Sequence, residues 1–186
     1  MRIVTLNGSP RGKGNTMALA EAVLAAMRGE KTIIAVHAAG VLPCPACGRC
    51  AAGEGCALDG SDGMGAIRAA LRGADRLIIA SPLHFSSLTA PLVAMFSRLQ
   101  PEWRKARSGA EAERDRKGAL VVTGGSLYPN MFEAGRIVAA AVFRALGFVF
   151  AGMAAASDTD LLPAGENQPA LERAGQLGLA LGQNGV

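Results

Sequence analysis

Five short, nearly unbroken apolar runs recur along the chain, at residues 3–6, 32–36, 77–80, 119–122 and 148–151. A strand with one wet face alternates apolar and polar residues. A strand covered on both faces reads as a continuous apolar run, which is the mark of a parallel sheet. The segments between the runs have helical spacing. Residues 16–28 point Met17, Val23, Leu24 and Met27 inward, and Met64, Ile67 and Leu71 share a face, with Arg68 and Arg72 on another. Further stripes are Leu88, Leu92, Phe96 and Leu99, then Val138, Val142 and Leu146. A weaker one, Leu171, Ala174, Gly178 and Leu181, lies in a Gly-rich tail expected to fray. Five strands alternating with five helices predict an α/β fold: a doubly wound five-stranded parallel sheet with helices on both faces, in one domain over residues 1–186.

Two connections exceed what such a fold needs. Residues 37–62 hold every cysteine, and His37 is read as a structural residue at a strand end. The stretch 98–117 is a charged excursion with basic residues at 98, 104, 105, 107, 114, 116 and 117 and acidic ones at 102, 111, 113 and 115. Its net +3 accounts for most of the chain's +4. It is expected to be mainly solvated loop, the sharper alternative being a dock for an acidic electron-transfer partner or a phosphate of NADPH. A modest charge and only 4% aromatic residues exclude a dedicated single-stranded nucleic-acid binder. Residues 137–156 are long enough to span a bilayer. Arg144 near their centre and Gly147 before Phe148 instead indicate a helix ending and a strand beginning, so no membrane span is expected. The first apolar run is too short for a secretory signal, and the expected location is the reducing cytoplasm. There, cysteines serve metals or redox chemistry more often than structural disulfides.

The first strand runs into Gly8-Ser9-Pro10-Arg11-Gly12-Lys13-Gly14-Asn15-Thr16 and then directly into a helix, whose N-terminus favours anions. The loop lacks the Gly-x-Gly-x-x-Gly fingerprint, the following acidic residue for a ribose, and the Lys-Ser/Thr pair of a Walker loop. Its hydroxyls, amide and Arg11 suit one terminal phosphate of a mononucleotide such as FMN. The plain alternative is an ordinary turn with an Asn or Thr cap. With strand order 2-1-3-4-5, Ser81-Pro82-Leu83-His84-Phe85-Ser86-Ser87 after the third strand would flank the same crevice, and Thr123-Gly124-Gly125 would form its third wall.

These loops resemble those of the flavodoxin-like NAD(P)H-dependent FMN reductases. The first loop is similar to their Gly-Ser-Pro-Arg-x-x-x-Asn-Thr motif, and residues 81–85 with Ala90-Pro91-Leu92 to their Ser-Pro-hydrophobic-Tyr-Phe segment and the helix behind it. The likeness runs to about residue 150. It implies that Ser9, Arg11, Asn15 and Thr16 hold the FMN phosphate, that Pro82, Leu83, His84, Phe85 and Ser86 wrap the isoalloxazine, and that Thr123, Gly124 and Gly125 meet its other edge. His84 departs from the family's usual Tyr. It reads as a polar loop residue, or alternatively as a support for negative charge on the reduced ring.

All four cysteines, Cys44, Cys47, Cys50 and Cys56, fall within thirteen residues, in a loop of about 43–57 spaced Cys-x2-Cys-x2-Cys-x5-Cys. Successive x2 spacing is a habit of iron–sulfur sites. Zinc also takes four thiolates, and a bare reduced thiol loop is the third option. The spacing resembles that of the iron–sulfur flavoproteins, a related group in which four such cysteines ligate a [4Fe–4S] cluster. The resemblance implies a redox flavoprotein that moves electrons between FMN and that cluster, and then to a ferredoxin-type or small-molecule partner, with NAD(P)H as a possible donor. No side chain is then strictly catalytic. It also implies a homodimer or dimer of dimers, for which the isolated Trp103 and Tyr128 are candidate interface residues, with no nucleic-acid or membrane partner. The alternatives are an NAD(P)H-dependent FMN or quinone reductase with a zinc-bound or vestigial cysteine loop, and a non-enzymatic flavin redox sensor.

Overall fold

In the computed structural model, which describes residues 1–108 and 115–183, the five apolar runs become one parallel sheet. Its strands are β1 (Arg2–Asn7), β2 (Glu30–Ala35), β3 (Arg76–Pro82), β4 (Lys117–Thr123) and β5 (Val149–Ala156), in the order β2-β1-β3-β4-β5. In register, Val4 lies beside Thr32 on one side and Leu77 on the other. The continuous apolar runs follow from burial on both faces: Leu77 and Ile79 enter one core layer, Ile78 and Ala80 the opposite one. β2 departs from that expectation. It is an edge strand with its first four residues exposed, and Ile33 faces solvent; at the opposite edge Val149 and Ala151 of β5 are exposed as well.

Helices α1 (Asn15–Ala25) and α6 (Gln168–Gly182) cover one face. The other is covered by α2 (Met64–Gly73), α3 (Ala90–Ser97) and α5 (Glu133–Ala145). The expected apolar stripes of α1, α2 and α3 are buried apart from the half-buried Phe96; of the next stripe, Val142 and Leu146 are buried and Val138 is exposed, with Gly135, Ala139 and Phe143 of α5 completing the face against the sheet. Phe143 stacks there on Phe150, with ring centroids 5.4 Å apart. Residues 168–182 form one continuous helix rather than a frayed tail. Asn167 caps α6 by accepting the Ala170 N–H at 3.1 Å. Gly178 lets α6 lie against α1, because a Cβ there would collide with the Val23 carbonyl. The buried Arg76 holds the far end through the Leu181 carbonyl, 2.6 Å away.

The charged excursion also departs from a solvated loop. Its first part is a further helix, α4 (Gln100–Arg107), and Arg98 and Arg116 on either side are buried. Arg116 donates to the carbonyls of Leu71, Ala74 and Leu146, closing the ends of α2 and α5, and lies over the Phe148 ring. Glu111, Glu113 and Arg114 fall outside the described residues. Among the described residues, no helix is long and apolar enough to cross a membrane.

Gly118 lies on β4 directly under Phe143, and a Cβ there would collide with the ring. Gly118→Ala is expected to cost about 1–3 kcal/mol by overpacking. The loss is read as a lower urea midpoint at unchanged slope, and adding Phe143→Leu should recover part of it.

Candidate functional site

The side-by-side pairing of β1 and β3 opens a crevice at their carboxyl ends. The loop after β1 is drawn tight against it: Gly8 donates to the Ala80 carbonyl at 2.8 Å, and the buried Thr89 hydroxyl donates to the Gly8 carbonyl at 2.9 Å. A Cβ at residue 8 would come within 2.6 Å of that hydroxyl and collide with Leu92, so glycine is required by packing. Asn7 accepts the Ser9 N–H, and the Ser9 hydroxyl accepts the Arg11 N–H, curling the loop on its own side chains. It delivers the chain to α1 through Gly14. No side chain caps that terminus and no acidic residue lies in its first turn, so its N–H groups and positive dipole end face the crevice.

Ser9, Arg11, Asn15 and Thr16 all line this crevice, as do Pro82, Leu83 and His84 from the end of β3, and Thr123 and Gly125 from the end of β4. The Thr16 and Thr123 hydroxyls share a buried hydrogen bond of 2.7 Å, joining the first loop to β4. The Asn15 amide ties α1 to the segment after β5: it donates to the Thr159 carbonyl at 3.4 Å and accepts the Ala164 N–H at 2.9 Å. An uncapped helix start beside hydroxyls and an arginine fits a phosphate group.

Three expected residues stand apart. Phe85 and Ser86 occupy the tip of a tight turn, with φ of 51° and 61°, closed by reciprocal bonds between His84 and Ser87. Phe85 is fully exposed, and the Ser86 hydroxyl lies 2.9 Å from that of Tyr128. Gly124 is buried beneath Met131 and uses its carbonyl to accept from Thr159. Sequence reasoning also missed a wall: Thr159 and Asp160, just past β5, line the crevice. The available signal was positional, since they follow the carboxyl end of a parallel strand.

The second site begins after β2. A 3-10 turn (Val36–Ala39), with His37 exposed, leads into a loop closed by Asp62, whose carboxylate accepts the N–H groups of Leu42 and Met64, each at 3.0 Å. Positive φ at Gly48 and Gly53 turns the chain back sharply. The Ser97 hydroxyl, at the end of α3, accepts the Cys44 N–H at 2.9 Å. All four cysteines are free thiols, and all four line one cavity of about 360 Å³ together with Ser97, Arg98 and Pro101. Among the described residues, no three His, Cys, Asp or Glu side chains converge as they would on a single ion. Four thiols lining one cavity are a donor set of the kind that an iron–sulfur centre or a zinc ion takes.

Behind this cavity lies a charge cluster that the sequence pattern had assigned to the surface. Arg68 is buried and paired with Asp59 and Glu102, and it donates to the Arg98 carbonyl at 2.6 Å. Arg98 pairs with Asp62 at 2.7 Å. Burial pushes the Asp62 carboxyl up, but the two backbone N–H groups and the Arg98 guanidinium outweigh it and hold it below the usual carboxylate value. α3 joins the two sites: it begins at Thr89 beside the first loop and ends at Ser97 on the cysteine cavity.

With this geometry in view, the profile of the NADPH-dependent FMN reductase family matches residues 1–154. An iron–sulfur flavoprotein from Methanosarcina thermophila is 34% identical over 129 residues, 68% of this chain and 64% of the relative. One from Methanocaldococcus jannaschii is 29% identical over 129 residues, 68% and 63% of the two chains. The chain thus aligns with just under two thirds of the length of each. Among solved structures, an NAD(P)H:quinone oxidoreductase from Methanothermobacter marburgensis superposes with a TM-score of 0.74 at 16% identity, covering 100% of this chain and 99% of the other. That likeness shows the flavodoxin-like fold.

Because the Asp62 carboxyl titrates lower in the folded protein than in the unfolded one, its stabilisation is complete above the unfolded value near 4 and is lost as pH falls through the folded value. Asp62→Asn should therefore lose less stability than the wild type as pH falls below about 5 in urea titrations. Parallel acid limbs would show that Asp62 contributes nothing to acid sensitivity.

Proposed function

Since the chain belongs to the NADPH-dependent FMN reductase family, we propose that it binds FMN in the crevice over β1, β3 and β4 and holds a [4Fe–4S] centre on Cys44, Cys47, Cys50 and Cys56. It would act as a cytoplasmic oxidoreductase, passing electrons between the two and on to a ferredoxin-type or small-molecule partner, with NAD(P)H as a possible donor. The observation that carries this reading is the placement of all four cysteines around one cavity, at the opposite end of α3 from the phosphate loop. At about 1.5 Å of rise per residue, α3 is roughly 12 Å long. The names of the two relatives support the iron–sulfur part.

FMN supplies hydride and single-electron chemistry that no side chain here provides, and the iron–sulfur centre supplies single-electron transfer. The chain's own work is binding and orientation. The α1 N-terminus, Ser9, Arg11 and Thr16 take the phosphate. Asn15 steadies the wall at Thr159 and would add its second amide N–H to the phosphate. Pro82, Leu83 and His84 offer backbone and side chain to the ring on one side, with Thr123 and Gly125 on the other.

Two preparations test this. Asn15→Ala with Thr16→Ala should release FMN, each lost charge-assisted bond weakening it by roughly 1.5–3 kcal/mol. Changing any one of the four cysteines to Ala should remove iron and acid-labile sulfide from anaerobic, iron-replete protein and leave FMN bound. Stoichiometric zinc without sulfide in the unaltered chain would favour the plain FMN or quinone reductase reading, as would rapid bleaching of the flavin by NADPH without a mediator.

A second copy of the chain completes the proposal. Phe85, Leu127, Tyr128, Leu161 and Leu162 are exposed, within the His84–Ser87 turn and the segments that follow β4 and β5. A homodimer or dimer of dimers would cover apolar residues that a lone chain leaves to water. The FMN-loaded protein is expected to sediment as a dimer or tetramer at micromolar concentration, and a monomer there is the contrary result.

A further inference from the structure

Arg98 closes α3 with a side chain that has no solvent exposure at all, and it points one N–H at sulfur: Nε lies 3.1 Å from Cys56 Sγ. The rest of the guanidinium is clamped in place. Nη1 donates to the Leu42 carbonyl at 3.1 Å and to Asp62 at 2.7 Å. Nη2 lies 3.7 Å from Asp59 and is buried without a hydrogen-bond partner. Burying a cation is costly even when it is paired, and an apolar side chain of similar volume often fills such a space as well. The Asp62 pairing alone does not call for arginine, because an ammonium would satisfy it. What only arginine supplies is a rigid fork with one arm on the carboxylate and Nε on the thiol.

Resting on the reading of the cysteine cavity as an iron–sulfur site, we propose that Arg98 is the positioning residue that sets the reduction potential of that centre, acting through Cys56. Each electron accepted there adds one negative charge beside a fixed, water-excluded guanidinium, and the Nε–H bond draws charge from the ligand sulfur. Net charge, hydrogen bonds to sulfur and exclusion of solvent are the means by which proteins set such potentials. Both contributions from Arg98 favour the reduced state and raise the potential. Asp62 lies on the other arm of the fork and partly offsets the charge. The sequence places this arginine 42 positions from its cysteine, at the end of the helix that leads from the phosphate loop.

The test is an anaerobic titration with dithionite, following the reduced centre by electron paramagnetic resonance and the FMN by visible absorbance in the same samples. Arg98→Gln should move the centre to more negative potential by at least one tenfold step in the one-electron equilibrium, about 59 mV. Arg98→Lys, which keeps the charge and loses the Nε bond, should move it less, and Asp62→Asn should move it the opposite way. The FMN couple should move by less than the centre in each. A cluster at full iron and sulfide content with unchanged potential in Arg98→Gln overturns this proposal alone. Wild-type protein without iron and sulfide brings down the cluster reading and this proposal with it. If Arg98→Gln takes up no cluster, Asp62→Asn decides on the same readout: a positive shift supports the proposal, and an unmoved potential overturns it.

Discussion

The pairing of β1 with β3 is the constraint from which the rest of the molecule follows. Because the chain crosses over between them, α1 leaves on one face of the sheet and α3 on the other, and the two preceding loops are left side by side with nothing between them. The gap is held to a fixed width by short bonds: Gly8 to Ala80, Thr89 to Gly8, and the Thr89 N–H to the Ser81 hydroxyl at 3.1 Å. Thr89 is buried and immediately precedes α3, so the same residue that fixes the phosphate loop also fixes the start of the helix leading to the cysteines. The two sites are therefore placed relative to one another by a single rigid element.

Buried arginines perform a second kind of fixing. Arg76 secures the end of α6, Arg116 closes α2 and α5, and Arg98 binds the cysteine loop through Leu42, Cys56 and Asp62. Each guanidinium meets carbonyls at helix ends or in loops, where backbone groups lack the full set of intrahelical partners. With an aromatic content of only 4%, the protein has few large rings with which to wedge such elements in place. Directional bonds from arginine take that role, and they confer order where apolar packing would confer only burial.

The inner strands β1, β3 and β4 were legible because each is covered on both faces and so must be apolar throughout, a local property. The edge strand β2 was legible in position but not in exposure, since being an edge depends on which strand has one neighbour. On α5 the 3.6-residue period left the edge of the apolar face uncertain by one position: Val142 is buried and Val138 exposed. The phosphate loop, the β3 and β4 termini and the cysteines were visible as residue types at fixed spacing. Thr159 and Asp160 were not, because nothing in their type marks them apart from position beyond β5.

By itself, the sequence determined the order of the elements, the parallel sheet, the loops that meet at its carboxyl edge and the grouping of four thiols. These are written in local patterns of apolar period, glycine and cysteine spacing. Only the tertiary structure decided which charged residues leave the solvent. Arg68 and Arg98 sit in mainly apolar helical stretches and Arg116 between charged neighbours, none of which marks them as buried, and a charge is buried only when folding brings a carbonyl, carboxylate or sulfur within hydrogen-bond reach. No short window of sequence contains both Arg98 and Cys56, 42 positions apart, so the arginine at the cysteine cavity became visible only once the chain was folded.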